Sequence, residues 1–141
     1  MIGLGYEGMT IDEFCAQVTE LKVSVVADVR LNALSRTPGF SKSGLRSALA
    51  GIGVDYLHLP ALGNPRDNRS GLQHPDSAEG REAHERYRAI VLSPAGRRAI
   101  DDLADLVQGE NVGFLCVERD QRGCHRQVVI DHVIARLLAC G

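Results

Sequence analysis

The stretch FLCVERDQRGCHRQVV, from Phe114 to Val129, gathers two thiols, a carboxylate, an imidazole and a guanidinium. Cys116 ends an apolar run and Glu118 follows two residues later, a spacing that turns both side chains to one face of a strand. A charged, turn-forming loop leads to Cys124, His125 and Arg126, which open a second apolar stretch. A thiol near a helix N-terminus, beside His and Arg, has the surroundings that lower a thiol pKa and make a nucleophile of it. The same helix start suits a phosphate or carboxylate, with Arg126 contacting two of its oxygens. Cys124 reads equally as a small packing residue in a cap, and Cys116 as a core residue of the strand. A mixed Cys, His and carboxylate set also fits a transition metal or haem iron. Adjacent Cys124 and His125 are poorly placed to reach one ion from a regular helix, however, and no CxxC or CxxCH is present. No residue is therefore assigned as a metal ligand, and the cofactor is left open.

Further chemistry-bearing residues follow other apolar runs. Tyr6 and Glu7 come after MIGLG, and Asp28 and Arg30 close VSVVADVR. If Glu7, Asp28 and Glu118 converge, their repulsion raises at least one pKa and suits it to general acid or base work. The alternative for Asp28 and Arg30 is a structural salt bridge. From Val29 to Val54 there is no acidic residue, while Arg30, Arg36, Lys42 and Arg46 all fall there. Such a local basic surface attracts phosphates even on a chain of net charge −2, unless its side chains are merely solvated.

The elements that must position these groups alternate along the chain. Strands are expected over 1–5, 23–29, 54–59 and 111–117. Helices are expected over 10–21, 41–51, 79–92, 93–106 and 124–139. Thr10 and Glu13 form a capping-box pattern, Ser41 or Ser43 caps the second helix before Gly51 stops it, and Ser93-Pro94 starts the fourth. Residues 60–78 read as one long loop, of the kind that is functional or mobile. Strand–helix alternation predicts right-handed crossovers and one three-layer α/β domain, with a mostly parallel sheet of four or slightly more strands and helices on both faces. Ligands of such sheets bind beyond the carboxyl ends of the strands, where Tyr6, Glu7, Asp28, Arg30, His58, Cys116 and Glu118 would gather.

Composition narrows the classes. At 44% hydrophobic and 24% charged residues the chain can build a core and shows no disordered tract. No apolar run is long enough for a membrane helix, and the N-terminus lacks the basic and apolar regions of an export signal. Four widely spaced cysteines make no secreted disulfide framework, so a cytoplasmic protein with reduced thiols is expected. Three Phe, three Tyr and no Trp are few for a platform that stacks single-stranded bases.

GYEGMTIDEF, VVADVRLNALSRTPGFSK, YLHLPALGN and LCVERDQRGCHR, in that order, resemble the domain-of-unknown-function 488 family across nearly the whole chain. The resemblance implies a small Rossmann-like α/β domain, with nucleic-acid or nucleotide processing as the suggested activity. Tyr6, Glu7, Asp28, Arg30, Ser35, Arg36, Phe40, Ser41, Lys42, Leu62, Gly63, Cys116, Glu118, Cys124, His125 and Arg126 carry over directly. Ala33 stands where the family often has Pro. Ala61 stands where it often has Glu, which removes a carboxylate from that position. Many members continue into a further strand, whereas this sequence stops at Gly141, so one strand fewer or an edge covered in a homodimer is expected.

The leading expectation is a hydrolase-type enzyme on a nucleic acid or nucleotide. Glu118, Glu7 and Asp28 would do acid–base chemistry, with Cys124 and Cys116 as further catalytic candidates. Tyr6, Arg30, Arg36, Ser41, Lys42, His125 and Arg126 would bind substrate. A thiol enzyme or redox protein using Cys124 and Cys116, a metal or haem protein, and a non-enzymatic nucleic-acid-binding module are the alternatives.

Overall fold

The computed structural model describes residues 1–74, 76–117 and 124–140. Among these, four strands, β1 (Ile2–Gly5), β2 (Val25–Asp28), β3 (Asp55–His58) and β4 (Val112–Cys116), form one sheet. Its order is β1-β4-β2-β3 and every pairing is parallel. The helices are α1 (Ile11–Glu20), α2 (Lys42–Ala50), α3 (Arg69–Leu72), α4 (Ala78–Val91), α5 (Pro94–Leu106) and α6 (Arg126–Cys140). No described helix is long and apolar enough to cross a membrane.

The continuous apolar runs become the two central strands, β2 and β4, every residue of which is buried. The edge strand β3 alternates exposed and half-buried residues instead. One core packs Leu4, Val26 and Leu115 against Phe14 and Val18 of α1 and Leu45 and Leu49 of α2. The other packs Ala27, Val112 and Phe114 against Tyr87 of α4, Leu103 of α5 and Val129 and Val133 of α6. The first two crossovers advance across the sheet on one face, and the return from β3 to β4 runs on the other, as crossovers of uniform hand require. The result is the expected Rossmann-like three-layer domain.

Local signals fix most helix ends. Thr10 Oγ1 accepts from Glu13 N at 3.2 Å while Glu13 Oε1 accepts from Thr10 N at 2.9 Å, which is the capping box read from the sequence. Ser93 Oγ accepts from Gly96 N, with Pro94 at the first helical position. Ser41 is the N-cap residue of α2, but its hydroxyl bonds the backbone of Ser35 instead of the helix. Two expectations need correction. Residues 60–78 are not one irregular loop: they hold 3-10 turns at Pro60–Leu62 and Arg66–Asn68 and the single turn of α3. The last helix starts at Arg126, so Cys124 and His125 precede it in non-helical backbone.

Candidate functional site

Register sets the carboxyl edge. Gly5 pairs with Cys116, while Asp28 pairs with Leu115 on one side and His58 on the other. Side chains at this edge separate onto the two sheet faces, because neighbouring strand residues point in opposite directions.

On the α1–α2 face lies a buried ionic network. Asp28 and Arg30 are 0% and 1% exposed. Arg30 Nε donates to Asp28 Oδ1 at 2.8 Å and Nη2 to Oδ2 at 2.6 Å, a two-pronged pair. Arg30 Nη1 donates to the Tyr6 hydroxyl at 3.1 Å and to the Phe40 carbonyl at 2.7 Å. The Tyr56 hydroxyl donates to Asp28 Oδ2. Tyr6 stacks on Phe40 with centroids 4.2 Å apart. Burial alone would lower the Arg30 pKa, but its bonds to Asp28 more than offset that and hold it above the ordinary range. Burial, and then the bond to Asp28, push Tyr56 above the ordinary tyrosine range. Asp28 and Arg30 are therefore salt-bridge partners, the alternative left open by the sequence. The network pins the loop that carries Phe40 to the end of β2.

On the opposite face, Cys116, Cys124 and His125 meet, at 1%, 3% and 3% exposure. His125 Nδ1 lies 3.6 Å from Cys124 Sγ and 3.8 Å from Cys116 Sγ. His125 Nε2 lies 2.7 Å from the Val29 carbonyl oxygen. A carbonyl only accepts, so Nε2 carries a hydrogen, and Nδ1 faces both sulfurs. The Tyr87 ring meets the imidazole edge-on at 5.2 Å, and its hydroxyl donates to the Leu62 carbonyl. Burial, then Cys124 and Cys116, raise the Tyr87 pKa well above the ordinary range.

Between the loops sits a cavity of about 200 Å³. Arg66 and Arg69 line it with Asn32, Asn64 and Leu34, and Arg30 and Val117 complete its wall. Asn64 is buried, and its Oδ1 accepts from Asn68 Nδ2 at 2.9 Å. A second, shallower hollow of about 530 Å³ is lined by Ser41, Lys42, Ser43, Arg46 and Ser47 and again by Leu34. Leu34, 77% exposed, stands between two basic pockets.

The model of the family described as Domain of unknown function DUF488 matches residues 10–133. The chain belongs to the DUF488 family. No curated protein and no solved structure matches it.

In this DUF488 domain the residues singled out from the sequence do not form one constellation. Asp28, Arg30 and Tyr6 join on one face, and Cys116, Cys124 and His125 on the other. Glu7 is exposed on the turn after β1, its amide donating to the Val117 carbonyl at 2.9 Å. Arg36 and Lys42 are exposed, Ser41 is half-buried, and Arg126 is buried at the first position of α6. Glu118 lies outside the described residues. Ala61 packs against the α4–α6 core, and Ala33 is buried with its carbonyl accepting from Lys42 N.

Sequence reasoning missed Tyr56, Tyr87, Arg66 and Arg69. Tyr56 shares a strand face with His58 by period-2 spacing, which was a usable signal. The two arginines flank the short turns inside what read as a featureless loop. Tyr87 looked like any residue on the inner face of a helix.

Proposed function

We propose that this DUF488 protein is an enzyme acting on a phosphate-bearing substrate, a nucleotide or the backbone of a nucleic acid. The observation that carries the reading is the pair of basic pockets meeting at Leu34, with Arg66 and Arg69 on one side and Lys42 and Arg46 on the other. A cavity of about 200 Å³ is smaller than the roughly 300–1,000 Å³ of whole-ligand sites, so it suits one phosphoryl group and its ester arm. The remainder of the substrate would cross Leu34, an apolar rest for a base or sugar, toward the second basic hollow. A planar guanidinium matches two phosphate oxygens at once, which favours arginine in the inner pocket.

Asp28 is not offered as the acid or base, since its oxygens are occupied by Arg30 and Tyr56. Arg30 is likewise not offered for phosphate, because four of its five N–H donors are used within the network. The carboxylates proposed to move the proton are Glu118 first and Glu7 second.

Binding of nucleotides and single-stranded oligonucleotides tests the reading. Charge-assisted bonds contribute about 1.5–3 kcal/mol each, so the Arg66→Ala/Arg69→Ala variant should bind roughly 100-fold or more weakly. The slope of log affinity against log salt should fall by about 2, one for each lost phosphate contact. Unchanged affinity and slope would remove this pocket from the function. Glu118→Gln should lower turnover about 100-fold while affinity and thermal midpoint hold, the usual size of a lost general base. Full turnover in that variant would rule Glu118 out.

A further inference from the structure

The cluster of Cys116, Cys124 and His125 lies on the face opposite the salt bridge and takes no part in the phosphate reading. Its three donor atoms, two sulfurs and Nδ1, all lie within 4.8 Å of one another, and all three residues are buried. We propose that these residues form a binding site for a zinc-class divalent cation, with Cys116 Sγ, Cys124 Sγ and His125 Nδ1 as ligands.

Spacing supports this first. Zinc sits about 2.3 Å from sulfur and about 2.0–2.1 Å from nitrogen, so tetrahedral angles put sulfur and nitrogen about 3.6 Å apart. The two sulfur–nitrogen separations here are 3.6 and 3.8 Å. The two sulfurs lie within 4.8 Å of each other and would close to about 3.8 Å to complete the third edge.

Hydrogen bonding points the same way. A metal-bound histidine almost always donates its other ring N–H to a carbonyl or carboxylate, which fixes its tautomer. His125 Nε2 does this to Val29 at 2.7 Å, leaving Nδ1 as the ligand atom. The anchor comes from the end of β2, so ring orientation is set by the sheet rather than by the loop.

Charge is the third support. Two thiolates and a neutral imidazole around a dication make a net-neutral site, which a buried position tolerates far better than an unpaired charge. Each thiol gives its proton to bulk water as its metal–sulfur bond forms, so binding releases protons and weakens below neutral pH. The softness of the donors selects zinc-class ions over magnesium or calcium. Among the described residues three protein donors meet, and a tetrahedral ion takes a fourth ligand beside them. The adjacency of Cys124 and His125 is no obstacle, because both precede α6 in bent or turning backbone.

The test is reconstitution of the reduced, full chain with Zn²⁺, followed by desalting and elemental analysis. One equivalent per chain is expected. Co²⁺ in its place should give thiolate-to-metal charge-transfer absorption and the intense visible bands of a tetrahedral centre. Cys116→Ser, Cys124→Ser and His125→Gln should each lose the stoichiometric metal, while Cys15→Ser, outside the cluster, should keep it. In case a variant fails to fold, alkylation of the wild-type chain supplies a second readout. Zinc should protect Cys116 and Cys124 and leave the half-buried Cys15 unprotected. Folded wild-type protein that retains no metal, cobalt bands without a thiolate contribution, or alkylation of Cys124 undiminished by zinc would each overturn the proposal. The last result would make Cys124 a reactive thiol instead. Because the pocket arginines are not involved, phosphate binding and metal binding can fail separately.

Discussion

Arg30→Met should lower the unfolding free energy by about 3–5 kcal/mol, the range found when one partner of a buried ion pair is removed. The loss comes less from the attraction itself than from what remains. Asp28 is 0% exposed, and without the guanidinium its carboxylate would keep only the Arg30 backbone amide at 3.1 Å and the Tyr56 hydroxyl. Those neutral donors cannot replace the lost positive charge in a low dielectric. Phe40 would also lose the donor that satisfies its carbonyl, and Tyr6 its partner at 3.1 Å. Arg30→Lys should recover little, because an ammonium cannot make the fork that reaches both Asp28 oxygens, Tyr6 and Phe40 together. Asp28→Asn added to Arg30→Met should recover much of the loss by removing the orphaned charge. Urea unfolding of the wild type, Arg30→Met, Asp28→Asn and the double variant completes the cycle. A cost below about 1 kcal/mol for Arg30→Met, typical of exposed pairs, would show that water already reaches the network.

This network also shows how far the sequence could be read. Element order and the sheet type were legible, because apolar runs and caps are local: Thr10 with Glu13 and Ser93 with Pro94 act within one turn of their own helices. That Tyr6, Asp28, Arg30 and Cys116 would lie at the carboxyl edge was legible too, since it follows from parallel topology. Which face each group would take was not. It depends on register, and one residue's shift moves a side chain to the other face. Cys116 and Asp28 seemed candidates for one site, yet Cys116 turns toward Tyr87 and His125 while Asp28 turns toward Tyr6 and Tyr56. The metal reading looked weak for a similar reason. It assumed that Cys124 and His125 belong to a regular helix, and helix boundaries shift by a residue or two. Starting α6 at Arg126 is enough to let neighbouring side chains converge. The contribution of Arg66 and Arg69 was hidden because a loop rich in Pro, Gly, Asn and Asp carries no periodicity from which to orient its side chains.

Gly63→Ala should cost about 3 kcal/mol, at the upper end for an overpacking substitution, and should weaken phosphate binding in the same variant. Backbone conformation is not the cause. Gly63 has φ −73° and ψ 144°, which any residue adopts. Space is the cause: a Cβ there would come to 2.5 Å from the Leu31 nitrogen and nearer still to its Cα. Those are backbone atoms of the segment leaving β2, and no rotamer change can relieve the overlap. The segments after β2 and β3 must therefore move apart. Leu31 and Asn32 come from one of them and Asn64, Arg66 and Arg69 from the other, so their separation opens the inner pocket along its seam. Leu62, beside Gly63, holds the Tyr87 hydroxyl through its carbonyl, and Tyr87 walls the Cys–His cluster, so the displacement should reach that cluster as well. Gly109→Ala is the control. No atom lies within 4 Å of its added Cβ and its φ is not positive, so its effect should stay within about 0.5 kcal/mol. Urea unfolding and oligonucleotide titration of both variants read the two consequences separately. If Gly63→Ala were as stable as Gly109→Ala, the contact between the two segments would not be close-packed. Lost stability with unchanged affinity would mean that the pocket does not depend on their seam.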